Sequence, residues 1–206
     1  MFGAHFLQRA LLALPILIFS LTVHEFFHAW TALRFGDTTA RDMGRLTLNP
    51  LAHLDLWGTI VMVVSGFRFG WAKPVPVNPF NLRNPRKADI WVSFAGPLSN
   101  IGLAVIAAFL YRMDLSQTFG ISPKLGDFLT YAVQINCILA FFNMIPLFPL
   151  DGSHILRHLL PPKYDHHFDN LDRFAPFILL LLIITNWLWI VLGPIVYPVI
   201  GLLLGY

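Results

Sequence analysis

Residues 10–23 read ALLALPILIFSLTV, and the next five are His24-Glu25-Phe26-Phe27-His28. A stretch this apolar is stable as a helix in lipid or as one buried on every side. Three ionisable groups in its path are expensive: each costs about 3 kcal/mol at the centre of a bilayer, even on lenient insertion scales. His24 and His28 are four residues apart, so a helix projects them from one face. This is the H-E-x-x-H spacing that supplies two zinc ligands, with the glutamate placed to take a proton from an attacking water. The competing reading is a pair of histidines packed against neighbouring helices. Ionisable groups at membrane depth are by default functional, which weighs against it.

The rest of the chain fits a membrane setting. Of its 206 residues 56% are hydrophobic and 12% charged, where a soluble domain carries about a quarter charged. The expected fold is an all-α integral membrane protein. It is a polytopic helical bundle of four to six membrane segments, with a re-entrant segment and a short extended or β element near the active site, built as one domain over residues 1–206. The first apolar stretch reads as a retained helix, because no small-residue cleavage site precedes His24. Basic residues are scattered through loops and form no nucleic-acid patch. Cys137 is the lone cysteine, which excludes an intramolecular disulfide; its apolar neighbours make it a packing residue.

Along the chain, a first membrane helix is expected from Phe6 to Phe35, stopped by Gly36-Asp37, with a polar, turn-rich stretch over 37–55. The apolar segment Leu56–Phe67 rises only about 18 Å as a helix, short of a ~30 Å hydrocarbon core, and reads as re-entrant. Residues 68–89 carry prolines 74, 76, 79 and 85, and the stretch Lys73–Pro79 reads as extended. Further spans are expected over Ile90–Tyr111 and Phe128–Ile145. A His-rich polar linker follows Pro162, and the last apolar run, Phe174–Tyr206, is interrupted at Gly193-Pro194 and Pro198. All of the 14 basic residues except Arg9, Arg112 and Lys124 fall within 34–89 and 149–173. The positive-inside rule then places those segments in the cytoplasm and the amino terminus outside.

That topology brings three elements to one depth: His28 near the inner end of the first helix, Gly96, Pro97 and Asn100 near the inner start of the second span, and Asp151 just past the third. Two histidines do not complete a catalytic zinc site. Asp151 follows Pro146 and Pro149, which break the helix and free backbone groups to line a polar cavity. It is the best candidate for a third ligand; the alternative is an N-cap for a helix over Gly152–Leu160.

His24-Glu25-Phe26-Phe27-His28, followed by Asn143-x-x-Pro146-x-x-x-Leu150-Asp151-Gly152, resembles the site-2 protease family of intramembrane zinc metalloproteases. Phe94-Ala95-Gly96-Pro97-Leu98-Ser99-Asn100 is similar to the family's Gly-Pro-x-x-Asn helix. The stretches Gly44–Pro50 and Phe69–Val77 look like those of a compact bacterial or archaeal branch, without PDZ or CBS domains. The resemblance implies one zinc per chain on His24, His28 and Asp151, a catalytic Glu25, and Asn143 as a substrate or oxyanion contact. Asn100 joins it as a candidate substrate or transition-state contact. The motif continues Asp-Gly-Ser where many relatives have Asp-Gly-Gly, a difference expected to matter little.

Together these readings give an intramembrane zinc endopeptidase acting on single-span transmembrane proteins in the bilayer, in a prokaryotic cell membrane, with the active site toward the cytoplasm. The chain alone or as a homo-oligomer fits equally, and no nucleic acid is involved. A membrane zinc hydrolase of lipidated or lipid substrates, and a non-catalytic metal transporter, are the alternatives; a carboxylate adjacent to the first ligand disfavours the transporter. The proline-rich 68–80 segment either pairs with unwound substrate by edge addition or plugs the cavity. His53 either lines the cavity and contacts the transition state or sits on a loop surface. His154 and His158 form either an auxiliary metal face or a solvated helix face, His166-His167 reads as exposed, and Gly201-x-x-x-Gly205 is a weak helix-packing motif.

Overall fold

The computed structural model describes residues 4–64, 71–113 and 124–206. Its α-helices are α1 Ala4–Arg34, α2 Thr39–Asp42, α3 Leu56–Val64, α4 Pro85–Arg112, α5 Lys124–Asn143, α6 Asp151–Leu159, α7 Asp165–Asp172, α8 Ala175–Ile184 and α9 Trp187–Leu204. Of these, α1, α4, α5 and α9 are long and apolar enough to cross a membrane. The chain is a multi-pass helical membrane protein. Among the described residues there is no sheet, only an isolated antiparallel bridge between Leu54 and Ala72.

The core is a three-helix contact closed by α1. Leu188, Leu192, Val196, Ile200 and Leu204 recur every fourth residue along α9 and pack on Ala104, Ala107 and Ala108 of α4 and on Leu129, Val133 and Cys137 of α5, with Ile16 of α1 alongside. Lipid tails are as apolar as leucine, so close backbone approach through small residues holds such helices together more than the hydrophobic effect does. The alanines of α4 and the fully buried Cys137 serve that approach.

Helix α1 stops where Gly36 takes φ 104°. The Asp37 N–H bonds Ala32 O and the Gly36 N–H bonds Leu33 O, both at 3.0 Å, a Schellman closure. Asp37 is then buried and accepts from Thr39 N, Thr39 Oγ1, Asn78 N and Asn81 Nδ2. Burial pushes its carboxyl up, but those donors outweigh it and hold it below the usual carboxylate range. The contact ties the end of the extended segment to the end of α1.

Several boundaries differ from the sequence-based expectation, for local reasons. Helix α4 begins at Pro85, five residues before Ile90, because proline suits the first helical position. Helix α5 runs Lys124–Asn143, ending short of Ile145, the residue before Pro146 that is biased away from helix. The last apolar run breaks at Thr185-Asn186, where Asn186 has φ 59°, while Pro194 and Pro198 lie inside a continuous α9. In lipid, a helix keeps its remaining backbone bonds across a proline because no water replaces them. Gly205 ends α9 with φ 91° and donates to Gly201 O, so this glycine pair is a helix stop and not a helix-packing motif. The supposed linker after Pro162 is ordered: Arg86 holds Asp165 at 3.0 Å, and Arg157 pairs with Asp169 and Asp172 on α7. Helix α3 covers the first part of Leu56–Phe67; residues 65–70, including Arg68, Phe69 and Gly70, lie outside the described residues.

Two arginines mark the ends of the bundle. Near the start of α4, Arg86 donates to Arg157 O (3.0 Å) and Leu160 O (2.7 Å). At its far end Arg112 donates to Leu203 O at 2.7 Å and to Leu202 O. The α4 start and α6 therefore share one end, and α9 finishes at the other. Helix α8, ten residues and about 15 Å long, is too short to span, and α9 is the described helix after residue 174 that is long and apolar enough to cross.

Candidate metal centre and active site

His24 and His28 leave α1 on one face, as their spacing requires, and are buried against α4. Each ring is held from behind through Nδ1. His28 Nδ1 donates to Val92 O at 2.7 Å, and His24 Nδ1 donates to Asn100 Oδ1 at 2.6 Å. The orientation of Asn100 follows from its other bonds. Its Nδ2 donates to Asn136 Oδ1 (3.0 Å) and Ser20 O (3.4 Å), and Asn136 Nδ2 donates to Ala132 O (2.9 Å). Backbone carbonyls can only accept, so the relay has one direction and the Asn100 oxygen faces His24.

Both Nδ1 atoms therefore carry protons, and a neutral ring is left with a bare Nε2. The two Nε2 atoms face each other at 2.9 Å. Asp151 closes the triangle: Oδ2 lies 3.2 Å from His24 Nε2 and Oδ1 lies 3.4 Å from His28 Nε2. Asp151 Oδ2 is buried and no hydrogen bond reaches it. Three electron-pair donors thus converge, all within 4.8 Å of one another. Lone pairs at that distance repel unless a positive charge lies among them, and two imidazoles with one carboxylate match the donor set of catalytic zinc. The residues fit a zinc ion. It would be held by these three atoms, with the donor bonds of Asn100 and Val92 fixing each ring's tautomer from outside.

Two glycines allow this approach. A Cβ on Gly96 would lie 2.6 Å from His24 Nε2 and still closer to His28 Nε2, so α4 passes the two imidazoles only with no side chain there. A Cβ on Gly152 would collide with Met144 O and Ile145 O, so the first turn of α6 can seat against the broken end of α5 only with glycine. Leu150 occupies the N-cap position and Asp151 is the first helical residue, its carboxylate turned to the histidines. The N-cap alternative for Asp151 is thereby corrected.

Glu25, the neighbour of His24, is half-buried, and its Oε2 accepts the Val75 N–H at 2.9 Å. This brings the proline-rich segment against the centre. That segment is anchored along its length: Lys73 N donates to His53 O (2.8 Å), and the buried Arg45 donates to Lys73 O (2.6 Å) and Pro74 O (3.3 Å).

The other candidates lie differently. Asn100 is fully buried, and its Oδ1 accepts from His24 Nδ1. Asn143 Nδ2 is bonded to Leu139 O in its own helix at 2.9 Å. His53 is 2% exposed, not on a loop surface; its Nε2 donates to Thr47 O at 2.8 Å and its Nδ1 is buried without a partner. His154 and His158 both meet Asp89, and His154 remains exposed to solvent. Sequence reasoning missed Asn136, Asp89 and the Val92 carbonyl. A polar asparagine inside a span was the available signal for the first; the carbonyl leaves none.

The chain matches the model of Peptidase family M50 over residues 12–122 and 117–183. It is 43% identical over 175 residues to YwhC of Bacillus subtilis, provisionally named a zinc metalloprotease, covering 82% of this chain and 78% of that one. Rip2 of Mycolicibacterium smegmatis, provisionally named likewise, is 31% identical over 82% of this chain and 64% of its own length. Zinc metalloprotease MJ0392 of Methanocaldococcus jannaschii is 25% identical over 73% of this chain and 35% of its own length. No solved structure gives a significant match.

Proposed function

The chain belongs to peptidase family M50, the site-2 protease type of intramembrane zinc metalloprotease, and from that premise we propose that His24, His28 and Asp151 hold its zinc and Glu25 is its general base. The observation that carries this reading is the convergence of two bare imidazole nitrogens and an unpaired buried carboxylate oxygen. When bound, zinc supplies Lewis acidity toward water and toward the scissile carbonyl. Glu25 takes the proton of the attacking water and delivers it to the departing amine. Asn100 and the Val92 carbonyl keep both rings in the ligating tautomer. Neither the transporter nor the lipid-hydrolase alternative finds support among the relatives' names.

The substrate class proposed is a single-span transmembrane protein. A helical substrate hides its carbonyls in i to i−4 bonds, so it must unwind before attack. The Val75 N–H on Glu25 supports placing the extended 72–77 segment beside the scissile bond. For Asn143 to serve a developing oxyanion, its amide must first leave Leu139 O.

The direct test is metal-dependent cleavage of a transmembrane peptide by the purified protein in detergent. About one zinc per chain, loss of cleavage on chelation, recovery on zinc addition, and loss of most zinc in His24→Ala are the expected results. Full zinc occupancy in His24→Ala would remove the ligand assignment.

The active-site end of the bundle is proposed to face the cytoplasm of a prokaryotic cell, on the basic-residue bias of 34–89 and 149–173. In a Cys137→Ser background, Thr38→Cys and Asn84→Cys should be labelled from the cytoplasmic side alone. Labelling of the two from opposite sides would overturn this topology.

A further inference from the structure

Helix α6 presents Asp151, His154 and His158 at i, i+3 and i+7, along one face. Helix α4 answers with Asp89, Val92, Gly96 and Asn100, also along one face. The inner part of this seam is the metal centre. The outer part has no place in the chemistry above: Asp89 Oδ2 lies 3.1 Å from His154 Nδ1 and 2.9 Å from His158 Nε2.

One carboxylate thus grips two side chains of the same helix, and the two differ in exposure. His158 Nε2 donates to Asp89, and its Nδ1 is buried without a partner. A proton on that nitrogen would be a buried unsatisfied donor, so the ring is neutral; burial lowers its pKa accordingly. His154 is more exposed, and its bond to Asp89 raises its pKa. Asp89 therefore accepts from both imidazoles through one carboxylate oxygen.

A nine-residue helix is marginal by itself, so what it docks on decides its orientation. Gly152 sets the distance of α6 from α5, and Arg86 holds its last carbonyls. Arg157 adds ion pairs to Asp169 and Asp172 on α7, but it stands off the face that carries Asp151. A carboxylate oxygen about 6 Å from a helix axis moves about 1 Å for a rotation of about 10°. A metal–ligand bond tolerates about 0.2 Å. The Asp89 contacts to His154 and His158 are a rotational stop on the same face as Asp151.

We propose that Asp89 is a positioning residue of the metal centre: by clamping His154 and His158 it fixes the rotation of α6 and so the reach of Asp151 toward His24 and His28. The inference rests on Asp151 being a ligand.

The test is a double-mutant cycle on the full chain in detergent, with zinc affinity read by competition with a fluorescent chelator. Asp89→Ala should weaken zinc by about 10–100-fold, the range for groups that orient ligands. In an Asp151→Ala background the same change should cost less than about twofold, because the carboxylate it positions is gone. Asp169→Ala removes an outward ion pair of α6 and should leave affinity unchanged. Asp89→Asn, which keeps size and an acceptor oxygen, carries the cycle if Asp89→Ala does not fold, with a smaller loss in the same direction. Affinity within about twofold of wild type in the Asp89 variant, or losses at 89 and 151 that simply add, would overturn the proposal. An Asp151→Ala protein with undiminished affinity would instead refute the ligand assignment beneath it.

Discussion

Glu25→Gln is expected to eliminate peptide cleavage while leaving zinc bound. The glutamate lies beside the converging ligands without joining them: its Oε2 accepts the Val75 N–H, whereas the three electron-pair donors come from His24, His28 and Asp151. A glutamine keeps an oxygen that can accept the same N–H, so the anchored 72–77 segment has no reason to move. What it loses is the basic lone pair that takes a proton from water. General acid–base catalysis contributes about 10²–10⁴-fold, and the same group is asked to act twice, on the attacking water and on the leaving amine. Turnover should therefore fall at least about a thousandfold, measured on a transmembrane peptide beside a metal assay on the same sample. A zinc-loaded Glu25→Gln protein with near-normal turnover would transfer the role of base elsewhere. His53 would be the next candidate, since its Nδ1 is buried without a partner and its backbone carbonyl accepts from Lys73 N of the extended segment.

The parts of this site legible in the sequence were those set by local rules. The i, i+4 histidines needed only helical periodicity, and Asp151 was marked by the prolines before it. The relay Asn136–Asn100–His24 joins three helices, and no periodicity within one helix announces it. Asp89 and His154 are 65 residues apart, so an i, i+4 histidine pair on α6 read as a solvated face until α4 supplied its partner. Composition misled for α7, where His166, His167 and three aspartates suggest a linker; Arg86 and Arg157 supply the countercharges that order it. The prolines of α9 misled in the opposite sense, because rules calibrated in water overstate how readily a helix breaks inside lipid.

Asp151→Asn should lose both zinc and proteolysis, whereas Asp165→Asn should lose neither. Asp165 belongs to α7, where it pairs with Arg86 at the edge of the bundle. Asp151 stands at the first turn of α6, its two oxygens divided between the two imidazoles. A structural zinc site binds with about 10–16 kcal/mol, or about 3 kcal/mol per ligand, so losing one ligand weakens binding on the order of a hundredfold. The asparagine adds a second effect. Its Nδ2 can donate to a bare Nε2 of His24 or His28, relieving the repulsion that a metal would otherwise relieve. Removing the negative charge also leaves the ion uncompensated in a poorly solvated site, which a neutral amide cannot correct. Chelator competition on Asp151→Asn and Asp165→Asn, read with their thermal stability, separates the possible roles. A protein at position 151 that kept zinc and activity but melted earlier would reduce Asp151 to a helix-start residue. The third donor would then have to come from His53, whose Nδ1 is buried without a partner, or from His154, which Asp89 already engages. Either would need a rearrangement that Asp151 does not.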